Sequence, residues 1–169
     1  MTLSMHQASI PVFIRALSNL SAILDKAAAN ADARKIDPGV LVNARLAPDM
    51  FPLARQVQIA TDVAKGAAAR LAGVDVPSYE DKESTFSELK DRLARTIAFL
   101  KSIKPEAIDG TEEKTIELTV GGNPLQFTGQ QYLLHFAIPN VFFHETTAYA
   151  ILRHNGVDLG KRDFLGAQS

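Results

Sequence analysis

Ile10, Phe13, Leu17, Leu20, Leu24 and Ala27 follow one another at spacings of three and four residues. That period makes one apolar face on a long helix, and such a face has to be buried against something else. A second stripe, Leu53, Val57, Ala60, Ala64 and Leu71, runs from about Pro52 and stops at Gly73. Its many alanines let a neighbouring helix approach closely. A third stripe, Phe86, Leu89, Leu93, Ile97 and Leu100, starts at Ser84 or Thr85 and ends before Pro105. A fourth helix is expected from about Gly129 to Asn155, capped by Thr128, kinked at Pro139 and stopped at Gly156.

The segments between these helices are shorter signals. Asp37-Pro38 pairs an N-cap with a first-turn proline and predicts a short helix through about Arg45, after which Pro48 and Pro52 bracket a loop. VDVPSYEDKES reads as a linker. TIELTV alternates in polarity and is followed by the turn residues GGN and then PLQF, which predicts a β-hairpin. The GGN turn has no lysine and no helix in register behind it, so it is not a phosphate loop. The expected fold class is all-α: a single domain over residues 1–169, built as an antiparallel four-helix bundle with a long first crossover and a small hairpin before the last helix. Phe164 and Leu165 in the tail are expected to dock back on it.

Composition removes several functions. Lys and Arg total 18 against 19 Asp and Glu, a net charge of −1, so no global basic field draws the chain to nucleic acid or acidic lipid. Without cysteine there are no disulfides, thiol nucleophiles or Cys-based zinc sites. The N-terminus MTLSMHQASIPVF does not read as a signal peptide, and no run of about 18 apolar residues is found, so a cytoplasmic protein with no membrane partner is expected. Glu88, Lys90, Asp91, Arg92 and Arg95 are expected to form a solvated helix surface.

The order of elements, together with APDMFPLARQVQIATDVAKGAAARLAG, TFSEL and PNVFFHETTAYAILRHNGVDLGKRDFLG, resembles an uncharacterised bacterial domain family within the DinB/YfiT-like superfamily. The closer resemblance covers nearly the whole chain. It implies an up-down-down-up four-helix bundle and a homodimer. In many DinB-like proteins a histidine from helix two and an H-x-x-x-H pair from the last helix hold a divalent metal, because residues four apart share one helix face. Carried over to this chain, the second member of the pair falls on His144 and the first on Asn140. The helix-two position falls on Gln56 or Gln58. Gln56 is one turn from Leu53 and Ala60, whereas Gln58 lines up with Asp62 and Lys65, so Gln56 is taken as the inward residue.

Two amides and one imidazole would hold zinc, nickel or iron weakly. The residues therefore favour a ligand pocket of Gln56, Asn140 and His144 that orients a small polar molecule, with no cofactor expected. The resemblance by itself implies instead a metal-dependent enzyme, a thiol-dependent transferase or hydrolase, with His144 as a metal ligand. A homodimeric structural module is a third reading. Among the other histidines, His154 lies about 15 Å along the helix from His144, and His135 points away from it. His6 could reach the same cavity from helix one, with Glu145 or Asp62 as an accompanying carboxylate, and Tyr132 could line the pocket mouth.

Overall fold

Ser4 Oγ accepts a hydrogen bond from the Gln7 backbone N–H while the Gln7 side chain accepts one from Ser4 N–H, and this reciprocal cap starts α1 (Met5–Ala33). The structure, a computed structural model, describes residues 3–167. After α1 come α2 (Pro38–Val42), α3 (Leu53–Ala72) and α4 (Phe86–Ser102). Strands β1 (Thr115–Val120) and β2 (Asn123–Thr128) follow, then α5 (Gly129–Gln131), α6 (Ile138–His154) and α7 (Lys161–Leu165). The strands pair antiparallel with Thr115 opposite Thr128 and Val120 opposite Asn123, as the GGN turn requires.

The molecule is mostly helical, with the hairpin as a small addition. α1 packs on α4 and α6, and α3 packs on the same two helices. Between them Phe13, Leu20, Leu24, Leu53, Val57, Leu93, Val141 and Ile151 are wholly buried. α1 is long and apolar enough to cross a bilayer by length and composition. Its apolar face is occupied by packing instead, as in a core helix. Thr85, rather than Ser84, is the N-cap of α4, and Glu88 completes the reciprocal cap. Gly73 closes α3 in the left-handed region at φ 71°, and Lys114 Nζ accompanies it by donating to the Arg70 and Leu71 carbonyls at 2.9 and 3.0 Å. Gly129 is needed for a close approach: a Cβ there would stand 2.0 Å from the Thr111 carbonyl oxygen.

Three expectations change. The last helix is not one α-helix bent at Pro139. A π-helical segment, Tyr132–Ala137, lies between α5 and α6, and Pro139 falls in the first turn of α6. A wider turn just before a proline relieves the clash its ring would make one α-turn back. Second, the short helix ends at Val42 rather than near Arg45.

The third change concerns charge. Arg92 is not a surface residue; it has no exposure at all, and Gln58 and Lys65, read as lying on a polar side, are 5% and 4% exposed. α3 is buried on two sides, by α6 and by α4, and residues 74–85 form a strap along α3 and α4 instead of a loose linker. Arg92 Nε donates to Thr61 Oγ1 at 2.7 Å and its Nη2 to Asp62 Oδ1 at 2.6 Å. Its Nη1 meets Asp81 Oδ1 at 3.0 Å and Glu83 Oε1 at 3.1 Å, both on the strap. Burial works to lower the Arg92 pKa, but the carboxylates of Asp62, Glu83 and Asp81 outweigh it and hold it above its ordinary value. Tyr79, also on the strap, has Lys65, Arg92 and Arg95 within 4.8, 5.3 and 4.6 Å of its ring centre.

Candidate functional site

Pro52 ends the loop before α3, and the Gln56 backbone N–H donates to its carbonyl, so Gln56 stands in the first turn of the helix. Its side chain turns back and Nε2 donates to the Phe51 carbonyl at 3.0 Å. A carbonyl only accepts, so the amide nitrogen must face Phe51 and the amide oxygen must face the other way. That oxygen lies 2.7 Å from His144 Nδ1 on α6. The contact is therefore Nδ1–H donating to Gln56 Oε1, and the neutral ring carries its lone pair on Nε2.

His144 is 9% exposed and Gln56 2%. Burial lowers the His144 pKa, and the nearby Arg55 cation lowers it further, so the ring stays neutral at physiological pH. Nε2 has no partner among the described residues and is not one of the sealed polar atoms. The result is an imidazole fixed in one tautomer with its acceptor nitrogen unused. The Phe143 ring stands perpendicular to the imidazole with centroids 5.2 Å apart, and the Arg55 guanidinium carbon lies 5.9 Å from the Phe51 ring centre. Phe51, whose carbonyl ends this hydrogen-bond chain, and Phe143, next to His144 in sequence, are 55% and 56% exposed.

Of the three residues expected together, the structure joins Gln56 and His144 directly. Asn140 is half-buried and makes no hydrogen bond to either. Its position follows from direction: α6 runs antiparallel to α3, as the Gln56–His144 and Arg70–Tyr132 contacts show. Asn140 thus lies about 6 Å farther along, beyond Gln56 towards the middle of α3.

His6, Asp62 and Tyr132 are not at the site. The His6 backbone N–H donates to Asp109 beyond the end of α4, whereas Gln58 and Glu83 tie the starts of α3 and α4 together near Gln56. Asp62 is engaged by Lys65 and Arg92 on the α4 side of α3. Tyr132 is buried under the hairpin against Phe127 and Phe136 and accepts from Arg70 at 3.1 Å. Arg70 is about 21 Å along α3 from Gln56. Burial raises the Tyr132 pKa, and the Arg70 charge opposes that rise. His135 and His154 are exposed.

Glu145, expected only as a companion carboxylate to His6, is instead sealed in the core. It is 1% exposed, neither carboxyl oxygen has a hydrogen-bond partner among the described residues, and burial pushes its pKa up to about 8. The fully buried Arg92 cluster was missed as well. The signal for it was Arg92 beside the inward Leu89 and Leu93, facing a linker that carries Asp81 and Glu83.

A divalent metal, which the DinB-like resemblance implies, does not fit these residues. The one Gln56 atom able to ligate is bound to His144, and Asn140 is a turn away. That leaves His144 Nε2 as a single donor where a resident ion needs three or more. Among the described residues no group of three or more His, Asp or Glu side chains could hold a metal.

Comparison with known proteins agrees with the fold. A solved structure described as a DinB family member protein from Shewanella denitrificans superposes with a TM-score of 0.87 at 43% sequence identity, covering 96% of this chain and 92% of that one. No curated protein matches the chain. Residues 5–165 match the family described as Domain of unknown function (DUF1993), and the chain belongs to that family.

Proposed function

We propose that this chain is a four-helix bundle of the DinB-like up-down-down-up kind that binds a small polar ligand at His144, without a metal. The bundle order is supported by side-chain contacts between helices. Lys90 pairs with Asp25, which sets α4 against α1 in opposite directions, and Arg34 donates to the Asn155 carbonyl where α1 and α6 both end. Gln58–Glu83 brings the starts of α3 and α4 together.

The observation that carries the ligand reading is the 2.7 Å bond from His144 to Gln56, backed by Gln56 to the Phe51 carbonyl. It fixes the tautomer and leaves Nε2 as an unused acceptor, while burial and the Arg55 charge favour the neutral ring. Small-molecule sites use a few polar atoms oriented in this way to fix their ligands. A metal-dependent transferase or hydrolase would need that nitrogen plus at least two further donors, which Gln56 and Asn140 do not supply.

The test is elemental analysis of protein purified without chelator, followed by calorimetric titration with zinc and nickel. We expect no stoichiometric metal and no tight uptake. About one zinc, nickel or iron per chain, lost in His144→Ala, would overturn the proposal in favour of the metalloenzyme.

A further inference from the structure

A groove lies between α1 and α4, where α1 begins and α4 ends. The Lys90–Asp25 pair sets the antiparallel register of the two helices, and carried along both it brings Lys101 level with Ile14, beside Arg15. Ile10, Pro11 and Ile14 form one wall, Ile103 and Pro105 the other, and the groove holds about 660 Å³. That volume is within the usual span of small-ligand sites. The rest of its lining is His6, Arg15, Lys101 and Lys104, three permanent cations and no carboxylate, in a chain whose net charge is −1. Lys101 and Lys104 make no ion pair among the described residues. Both ends of the groove are held. The His6 backbone N–H donates to Asp109 Oδ1 at 2.8 Å, so that carboxylate stands at the His6 end, away from Lys101. Arg15 donates from Nε and Nη2 to the Leu165 carbonyl at 3.1 and 2.9 Å. A neutral carbonyl orients the guanidinium without cancelling its charge.

We propose that this groove binds a free medium-chain carboxylate, its hydrocarbon chain along the isoleucine and proline walls and its anion between Lys101 and Arg15. The chain follows from the walls, whose apolar surface leaves water when the groove is filled. The head group follows from the sign of the rim: lysine ammoniums attract an anion, while their methylene stems extend the apolar surface beneath it. A single soluble molecule suits the site better than a bilayer does. Ile10 and Ile103 are only 3% and 9% exposed, so they are recessed, whereas a membrane surface is met by apolar side chains that protrude. The groove is at the opposite end of α4 from the Gln58–Glu83 contact, near which Gln56 stands, and neither site needs the other.

Three probes separate the parts: octanoate has chain and charge, 1-octanol lacks the charge, and acetate lacks the chain. Binding is followed by calorimetry and by the backbone amide shifts of Ile10, Ile14 and Ile103, in the wild-type chain and in the double variant Lys101→Gln, Lys104→Gln. Both lysines are exposed, and circular dichroism first establishes that the variant is folded. Octanoate is expected to bind saturably, to move those three amides, and to bind more tightly than either other probe. Its affinity should fall roughly tenfold or more in the double variant, with octanol indifferent to the change. Equal binding of octanoate and octanol to the wild-type chain would overturn the anionic class, as would an octanoate affinity unaffected by the two substitutions. Saturating octanoate that leaves the three amides unmoved would overturn the site itself. A parallel arm offers phosphatidylglycerol vesicles: co-sedimentation with them, without binding of free octanoate, would replace the soluble ligand by an anionic bilayer and so overturn the proposal.

Discussion

His144 Nδ1 and Gln56 Oε1 lie 2.7 Å apart across the contact between α6 and α3, in a buried position where each satisfies the other. The pair has a structural consequence as well as a chemical one. Leaving either partner alone strands a polar atom away from water.

Gln56→Leu keeps the volume roughly constant and removes both of its hydrogen bonds, leaving His144 Nδ1–H and the Phe51 carbonyl unpaired. The expected loss is about 2 kcal/mol of folding stability, read from urea unfolding. The His144 ring should also lose its single tautomer. Unchanged stability with the tautomer retained would mean that the glutamine does not orient the ring.

Glu145 gives a pH dependence with a definite sign. Its folded pKa is raised from 4.5 to about 8, so below the lower value both folded and unfolded chains carry the proton and nothing is lost. Between 4.5 and about 8 the unfolded chain releases the proton and the folded chain keeps it, so stability falls as pH rises. The cumulative penalty is on the order of a few kcal/mol. Glu145→Gln should therefore match wild type near pH 4 and become progressively more stable than it towards pH 8. A difference independent of pH would show that the carboxyl is not held neutral.

His144 acts in the opposite window. Its folded pKa is lowered by burial and by Arg55, so its neutral form costs nothing above the ordinary histidine value of about 6.5. As pH falls below that value the unfolded chain takes up a proton that the folded ring resists, and stability declines. His144→Gln should flatten this acid limb in urea unfolding between pH 7 and 5. A limb of unchanged slope would contradict it.

Arg92 anchors the strap. Arg92→Met keeps a similar length but leaves the buried Glu83 and the partly exposed Asp62 and Asp81 without their shared cation. Because Asp62 retains Lys65 and Asp81 retains Arg55, the loss should be moderate, about 2–3 kcal/mol. Hydrogen exchange should rise specifically over residues 74–85. Uniform exchange across the chain would show that the strap is held by something else.

Much of this architecture was legible because long helices advertise their buried faces locally. Phe13, Leu17, Leu20 and Leu24 lie on one stripe in the sequence and are all buried. Alternation and a GGN turn were enough for the β1–β2 pairing. Gln56 was legible for the same reason, being in phase with Leu53 and Ala60. Arg92 was not. Local period counts an arginine as polar and sends it outward, whereas its burial depends on Asp62 and Glu83 from other elements. Gln58 was misplaced because α3 buries two sides, and a single stripe describes one. Asn140 kept its place one turn from His144, but the antiparallel run of α6 carries it away from Gln56. The burial of Glu145 was legible only in its phase with Val141, Ala148 and Leu152; a carboxyl at such a position is ordinarily read as turned to solvent, and nothing local announces that it has no partner.

The oriented imidazole is open to a decisive check by ¹⁵N-detected NMR of the His144 ring at pH 7. The spectrum should show a neutral ring with the proton on Nδ1 and an unprotonated Nε2, titrating only below the usual histidine range. A proton on Nε2, or a charged imidazolium at that pH, would contradict it.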